Sequence, residues 1–229
     1  MNLLAFDTST EYLSLALIRD EKVSTFDVLA GQSHSQLILP QIQALLSEAA
    51  IQLKDLHGIA FGAGPGSFTG VRIAAGVAQG LGLGANLPVA GICTLQALAA
   101  ASGADKVIAC LDARMGEVYH AAYVKDASAW KVLSEPGLYK PDAVPALAGG
   151  AWVGAGSGWQ AYREQLSQAY QGQLQQLMPE LLPRADAVLR LAVPMFASGR
   201  ALPAAEAMPI YIRNRVALKT AEREQGLRL

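Results

Sequence analysis

The sequence predicts an α/β fold built from two related halves, each with a mixed sheet flanked by helices. Short apolar strands alternate with segments of helical apolar spacing, as is typical of α/β proteins. One longer pattern also occurs twice: an apolar strand ending in an aspartate, a turn, a second strand and a charged turn. It begins at Leu3–Asp7 and again at Ile108–Asp112. This internal repeat indicates the duplication of one α/β domain.

The composition is that of a globular chain with little charge bias. Of its 229 residues, 52% are hydrophobic and 16% are charged, and the formal net charge is −1. Nonspecific nucleic-acid binding requires a clustered basic surface, so any contact with RNA is expected to be local or indirect. Cys93 and Cys110 form no CxxC pair and lie in or beside apolar runs, which predicts buried free thiols. Polar residues interrupt the Ala/Gly-rich stretch 71–101, so we expect a cytoplasmic protein without a membrane span.

The first half is predicted to start with a β-meander and a helix. Three strands joined by tight turns are expected at Leu3–Phe6, Tyr12–Ile18 and Val23–Leu29. Ser33 or Ser35 can cap a helix that runs to Ala50, with its apolar face at helical spacing. Pro40 is compatible with that helix only near its first turn.

The rest of the first half alternates strands and helices. The predicted elements are a buried strand Gly58–Phe61, a helix from Phe68 to about Gly84, a strand Leu87–Ile92 and a helix Leu95–Ala101 capped by Thr94. The polar stretch 102–105 is a plausible boundary between the halves. We therefore predict an N-terminal domain over residues 1–103, a C-terminal domain over 104–205 and an extended tail over 206–229.

The second half repeats the pattern. Strands are expected at Val107–Leu111, Val118–Val124, Trp130–Leu133 and Trp152–Val153. Helices are expected around Trp159–Gln168 and Asp186–Ala197, and Pro209–Arg213 is expected to be extended.

Two loops have the features of an anion-binding site. The first follows the first strand, at the sheet end where open α/β folds bind ligands; the alternative is a simple polar turn. The second, Gly62–Gly70, is rich in glycine and precedes a helix that Ser67 can cap. Its spacing fits neither a Walker A loop nor a dinucleotide fingerprint, and the alternative is a structural turn. The candidate nucleotide or phosphate ligands are Asp7, Thr8, Ser9, Gly64, Gly66, Ser67 and Asp112. No catalytic residue and no metal site is predicted, because the three histidines are not at metal-ligand spacing.

The helix after the glycine-rich loop has unusually many small residues. Glycine inside a helix costs about 1 kcal/mol relative to alanine. Gly76, Gly80 and Gly84 recur at every fourth position, and Gly70, Ala74, Ala78 and Gly82 form a second such series. One smooth face can pack on the chain's own sheet, while the other is a candidate contact with a second chain. The predicted partner interface comprises Ile38, Ile42, Leu45, Thr69, Ile73, Gly76, Val77 and Gly80.

Four segments together resemble the TsaB (YeaZ) family over nearly the whole chain. They are Leu4–Thr10, Ala63–Arg72, Asp112–Tyr119 and Pro209–Asn214. The resemblance implies a duplicated fold like those of actin and the sugar kinases. It also implies a non-catalytic scaffold subunit that works with a related transferase, TsaD, and a small P-loop ATPase, TsaE. That assembly transfers threonylcarbamoyl from its adenylate to the N6 amine of the adenosine next to the anticodon in tRNA.

One departure favours the scaffold over an enzyme. Catalytic relatives carry a histidine-rich metal motif after the strand that corresponds to Leu87–Ile92, whereas the segment Cys93–Leu98 has no imidazole or carboxylate. The alternatives are a freestanding ATP-dependent kinase or ATPase and a metalloprotease. For the scaffold we expect no required cofactor, with ATP or ADP bound weakly or at the partner interface. We also expect a homodimer when the chain is alone, and contact with tRNA only through the complex.

Overall fold

The first sheet has five strands in the order β3-β2-β1-β4-β5. The computed structural model describes residues 1–127 and 129–213. The strands are β1 (Leu3–Asp7), β2 (Tyr12–Arg19), β3 (Lys22–Leu29), β4 (Gly58–Gly64) and β5 (Val89–Cys93). The meander β1–β3 is antiparallel, while β4 and β5 continue the sheet parallel to β1. The predicted strands are thus present, most of them longer than expected.

The second sheet repeats this arrangement. Its strands are β6 (Lys106–Arg114), β7 (Glu117–Asp126), β8 (Ala129–Tyr139), β9 (Trp152–Ala155) and β10 (Leu174–Met178), in the order β10-β9-β6-β7-β8. The meander is again antiparallel, and β9 and β10 again run parallel to its first strand. The predicted duplicated, actin-like α/β fold is therefore confirmed. Strand β10 was not predicted, because its two glutamines at an exposed edge hide the strand pattern.

In the part of the chain that the structure describes, six α-helices pack on the sheets. They are α1 (His34–Glu48), α2 (Phe68–Ala85), α3 (Thr94–Ala101), α4 (Ser157–Ala161), α5 (Arg163–Ala169) and α6 (Ala185–Ala197). The predicted single helix Trp159–Gln168 is broken at Tyr162, whose backbone is not helical (φ −131°, ψ 40°). Among the described residues, no helix is long and apolar enough to cross a bilayer.

Three predictions about the starts of helices differ from the structure. Pro40 lies in the second turn of α1 rather than near its start, where it removes one intrahelical hydrogen bond. Ser33 occupies the N-cap position of α1 but its side chain makes no capping bond. Cys93, not Thr94, is the N-cap residue of α3, and the Thr94 hydroxyl instead accepts a hydrogen bond from the Gly64 amide (3.1 Å).

The two halves share helices, so the core of each half includes residues from both parts of the sequence. On one face of the first sheet, α1 and α2 cover a core that includes Phe6 and Phe61. On its other face lies α6, which follows the second sheet in the chain and contributes the buried Val188 and Leu189. The predicted boundary at 103/104 separates the two sheets, but residues 185–197 pack with the first one. Gly58 leaves room for the ring of Phe196 at this contact.

Helix α3 joins the two halves. Its Ala97 packs with the first sheet and α6, whereas Leu95 and Leu98 pack with Val107 and Leu111 of β6. The other face of the second sheet is covered by α4 and α5 with their buried aromatic residues. Residues 206–213 form no strand, and the remainder of the predicted tail, 214–229, lies outside the described residues.

Candidate functional site

A cleft of about 1080 Å³ lies between the two halves. On one side it is lined by residues that follow β1 and β4, and on the other by residues at the end of β6 and after β9. Its lining includes Ser9, Gly66, Ser67 and Asp112 from the predicted ligand set. Asp7, Thr8 and Gly64 do not line it. The two predicted loops therefore reach one cleft because they follow the adjacent parallel strands β1 and β4, at the same end of the first sheet.

The first-half loops are tied to each other rather than left open. The Ser67 amide donates to the Ser9 carbonyl (2.7 Å), and the Thr8 hydroxyl donates to the Gly70 carbonyl (2.7 Å). Ser67 is also the predicted N-cap of α2, and its hydroxyl accepts from the Gly70 amide (3.3 Å). The Ser67 and Gly70 amides and the Thr8 hydroxyl therefore already donate within the chain, whereas an anion bound here would need such donors.

Asp7 is buried beneath its own turn. One carboxylate oxygen accepts hydrogen bonds from the Ser9 amide (2.8 Å) and hydroxyl (2.7 Å), while the other is buried without a hydrogen-bond partner. Burial raises the pKa of Asp7 to about 6, against the opposing effect of the Ser9 bonds and of His34. Asp7 therefore shapes the Ser9 turn and, as it stands, cannot contact a ligand in the cleft.

Each glycine at the start of the loop leaves room for a neighbouring group of the same chain. A Cβ atom at Gly62 would overlap the Asp7 carboxylate, and one at Gly70 would overlap the Thr8 carbonyl. A Cβ at Gly66 would lie 2.5 Å from the Ser9 carbonyl oxygen, and one at Gly64 would lie 3.1 Å from the carbonyl oxygen of residue 210. Close approach explains these glycines without a phosphate.

The second half closes its own loop in a similar way. Asp112 accepts from the Arg114 amide (2.8 Å) and pairs with the Arg114 guanidinium (3.0 Å), and its own amide donates to the Ser157 hydroxyl (3.1 Å). Gly156 and Gly158 pack against the backbone of Cys110. Asp112 lines the cleft, but its carboxylate is already engaged.

Arginines supply the positive charge of the cleft. No lysine is among the described residues that line it. The Arg72 guanidinium lies over the ring of Phe68 (3.2 Å to the centroid) and near that of Tyr211 (4.8 Å), and it donates to the Phe68 carbonyl (2.8 Å). Arg213 pairs with Glu117 (2.8 Å). The four segments that resemble the TsaB family thus converge on this cleft.

Helix α2 uses its two small-residue series differently. Ala74, Ala78 and Gly82 are buried against the chain's own core, and Gly82 leaves room for the Ala204 side chain. By contrast, a Cβ atom at Gly76, Gly80 or Gly84 would meet no atom of the described structure within 4 Å, apart from the adjacent residues and backbone of α2 itself. The exposed residues Thr69, Gly76, Gly80, Leu83 and Gly84, with the half-buried Ile73 and Val77, form what we call the α2 face.

Three residues of the predicted interface belong to the interior instead. Ile38, Ile42 and Leu45 are at most 5% exposed, because the apolar stripe of α1 packs on the first sheet. They cannot form the surface of an interface. The outward side of α1 instead carries Leu39, which is 50% exposed, between two polar glutamines. The sequence did not indicate this arrangement, because helical spacing does not show which stripe of a helix faces the core.

Comparison with known proteins agrees with this architecture. Residues 28–150, just over half of the chain, match the model of the family TsaD, tRNA N6-adenosine threonylcarbamoyltransferase. The Escherichia coli tRNA threonylcarbamoyladenosine biosynthesis protein TsaB is 41% identical over 96% of this chain and 97% of its own length. The Haemophilus influenzae protein of the same name is 37% identical, with 96% of each chain covered.

This chain belongs to the TsaB family. The solved structure of YeaZ from Pseudomonas aeruginosa agrees with the fold, at a TM-score of 0.86 and 37% identity over 92% of this chain and 99% of that one. The similarity to the Escherichia coli relative and to the YeaZ structure extends across both sheets and the cleft, so the duplicated fold described above is that of the family.

The segment Cys93–Leu98 in this TsaB-family chain is packed into the interior, with Leu95 and Leu98 fully buried. Within residues 1–127 and 129–213, no three His, Cys, Asp or Glu side chains form a group that could hold a metal ion. Cys110 is buried, as predicted, whereas Cys93 is only partly so.

His120 was not singled out from the sequence but is fully buried in the second sheet of this TsaB-family chain. Its Nε2 lies 2.7 Å from the Tyr170 hydroxyl, which itself donates to the Pro145 carbonyl (2.9 Å). Nε2 must therefore donate, which leaves a buried Nδ1 without a partner. Burial lowers the pKa of His120 to about 4, so the ring is neutral.

Proposed function

We propose that this chain is a non-catalytic scaffold and activator subunit of the assembly that modifies tRNA with threonylcarbamoyl. In that assembly the group moves from its adenylate to the N6 amine of the adenosine next to the anticodon. The proposal is supported by relatives in Escherichia coli and Haemophilus influenzae whose names place them in threonylcarbamoyladenosine biosynthesis. The chain covers nearly the full length of both.

The absence of a catalytic role is supported by the way the cleft is built. A freestanding kinase or ATPase would need glycine loops open to phosphate and a carboxylate that reaches it. Here Gly62, Gly64, Gly66 and Gly70 each accommodate a group of the same chain, and Asp7 is buried. We therefore propose that the chain requires no cofactor, and that ATP or ADP binds it weakly or at the interface with a partner.

The observation that carries the scaffold role is the open α2 face. Each helical glycine costs about 1 kcal/mol relative to alanine, and Gly76, Gly80 and Gly84 contact nothing in the described chain that would offset this cost. Leu83, which is 61% exposed, lies on the same face. Backbone approach by a second helix would use the glycines and cover the leucine.

We propose that the partner on this face is the homologous TsaD-like transferase, which can present a matching pair of helices. Without it, the α2 face pairs with itself in a two-fold homodimer, because such an interface needs only self-complementarity. A TsaE-like P-loop ATPase joins the assembly. The tRNA is contacted only through the complex, in the cytoplasm.

The test is the association of variants at Gly80 with the TsaD-like subunit and with themselves, measured by sedimentation. Gly80→Leu places a branched side chain at the closest approach, and overpacking of about 1–3 kcal/mol should weaken both associations. Gly80→Ala keeps the face small and is the matched control. Ala169→Leu, at an exposed position of α5, controls for added surface hydrophobicity.

Wild-type association by a folded Gly80→Leu variant would show that the interface lies elsewhere. Catalysis is tested separately, because a steady ATPase or peptidase turnover that copurifies with the chain and is lost in Asp7→Ala would contradict the non-catalytic role.

A further inference from the structure

Residues 209–213, which we call the strap, cross the cleft from the first half to the second. We propose that the strap is an intramolecular ligand of the cleft, which fixes the angle between the two halves at the place where a bound molecule would bridge them. The inference is independent of the scaffold role and rests on how each end of the strap is held.

The chain before the strap is anchored to the first half. Leu202 pairs with Val89 at the edge of the first sheet through two reciprocal backbone hydrogen bonds of 2.8 Å. The Gln79 side chain then donates to the Ala205 carbonyl (3.2 Å), and Ala204 packs into the space left by Gly82. The strap therefore leaves the first half from a fixed point beside α2.

The strap next lies against the end of β4, inside the cleft. The Ile210 amide donates to the Ala63 carbonyl (2.7 Å). Gly64 is in a left-handed conformation (φ +108°) that favours glycine, and a Cβ there would lie 3.1 Å from the Ile210 carbonyl oxygen. The absence of a side chain at Gly64 leaves room for the strap. In a phosphate-binding loop, the ligand would approach the backbone at this position.

The far end of the strap is held by the second half. The Arg213 guanidinium lies 2.8 Å from a Glu117 carboxylate oxygen and donates to the Ala113 carbonyl (3.0 Å). Only 11% of the Arg213 side chain and 28% of the Glu117 side chain are exposed. A charge-assisted contact so shielded from solvent is stronger than a surface ion pair.

The turn that receives Arg213 has an uncommon backbone. Arg114 (φ 62°) and Met115 (φ 58°) both adopt the left-handed region, which residues other than glycine rarely occupy, and Gly116 follows (φ 74°). Tight hairpin turns require such conformations, and the turn between β2 and β3 has them at Asp20 (φ 49°) and Glu21 (φ 66°). The guanidinium meets the turn between β6 and β7 at the Ala113 carbonyl.

The strap adds a polar connection to those made by α3 and by the chain that leads from β10 to α6. Helix α3 joins the halves through apolar packing of Leu95 and Leu98 on β6. The strap joins them through polar contacts at the cleft, so loss of Arg213 should free the halves to rotate about α3 without unfolding either sheet.

The experiment is NMR on the full chain, with amide hydrogen exchange at Ile210 and residual dipolar couplings from the two sheets. In wild type we expect a protected Ile210 amide and a single relative orientation of the halves. Arg213→Ala should speed exchange of the Ile210 amide by about tenfold or more. The residual dipolar couplings of the two sheets should then no longer fit one common alignment. Glu117→Gln should act in the same direction, and Arg163→Ala, an exposed arginine on α5, should match wild type.

The proposal is overturned if Ile210 exchanges at the unprotected rate in wild type. It is also overturned if Arg213→Ala and Glu117→Gln leave both Ile210 exchange and the orientation of the halves unchanged. If Arg213→Ala speeds exchange at core amides such as Ala109 as well, it has unfolded. Glu117→Gln then decides the question, since it removes one charge and leaves the Ala113 contact in place.

Discussion

Asp7 and His120 should make opposite and nearly cancelling contributions to the pH dependence of stability. Burial raises the pKa of Asp7 from 3.8 to about 6, so the folded state binds more protons than the unfolded state between these values. Its contribution to stability therefore falls as the pH rises from about 4 to 6. Burial lowers the pKa of His120 from 6.5 to about 4, so the unfolded state binds more protons there. Its contribution rises over almost the same range.

Each contribution is of the order of 3 kcal/mol, since a pKa difference of one corresponds to about 1.36 kcal/mol. Asp7→Asn abolishes the first while keeping an acceptor for Ser9. The free energy of unfolding of this variant, minus that of wild type, should rise by about 3 kcal/mol from pH 4 to pH 6.5. His120→Gln keeps a donor for Tyr170, and the corresponding difference should fall by about the same amount.

The assay is urea unfolding at closely spaced pH values, followed by circular dichroism and by the fluorescence of the buried Trp152 and Trp159. Other titrating groups cancel when each variant is compared with wild type at the same pH. Differences that do not change with pH, or that change with the same sign in both variants, would refute the assignment of two oppositely shifted buried groups.

Three further predictions test the packing of α2 and the cleft. Gly80→Ala should stabilise the isolated chain by up to about 1 kcal/mol in chemical denaturation, because the space at Gly80 is open; a loss of stability would contradict an open face. Ala78→Leu, at a fully buried position, should destabilise it by about 1–3 kcal/mol, and a neutral effect would place Ala78 outside the core. Calorimetric titration of the isolated chain with magnesium and ATP should show weak binding, because no lysine among the described residues lines the cleft; submicromolar affinity would contradict this expectation.

Features fixed by neighbouring residues could be predicted from the sequence. The β-meanders follow from alternating apolar runs and charged turns, and Ser67 caps α2 because its hydroxyl needs only the amide of Gly70. These inferences require no knowledge of how distant segments pack.

Features that depend on distant segments could not be predicted. Gly64 looks like part of a phosphate loop until Ile210, far along the chain, is seen against it. Helical spacing on α1 defines a stripe through Ile38 and Ile42 but not whether the chain's own sheet or a partner covers it. The edge strand β10 shows no alternation of polar and apolar residues, because Gln175 and Gln176 are both exposed.

The return of α6 to the first sheet has a consequence for synthesis on the ribosome. When residues 1–103 have emerged, their sheet has one face covered by α1 and α2, but the face that receives Val188 and Leu189 is still bare. That apolar surface stays uncovered until nearly the whole chain has been translated, a state prone to aggregation. The first half is therefore expected to reach its native form last, although it is made first, and to depend on chaperones during the interval.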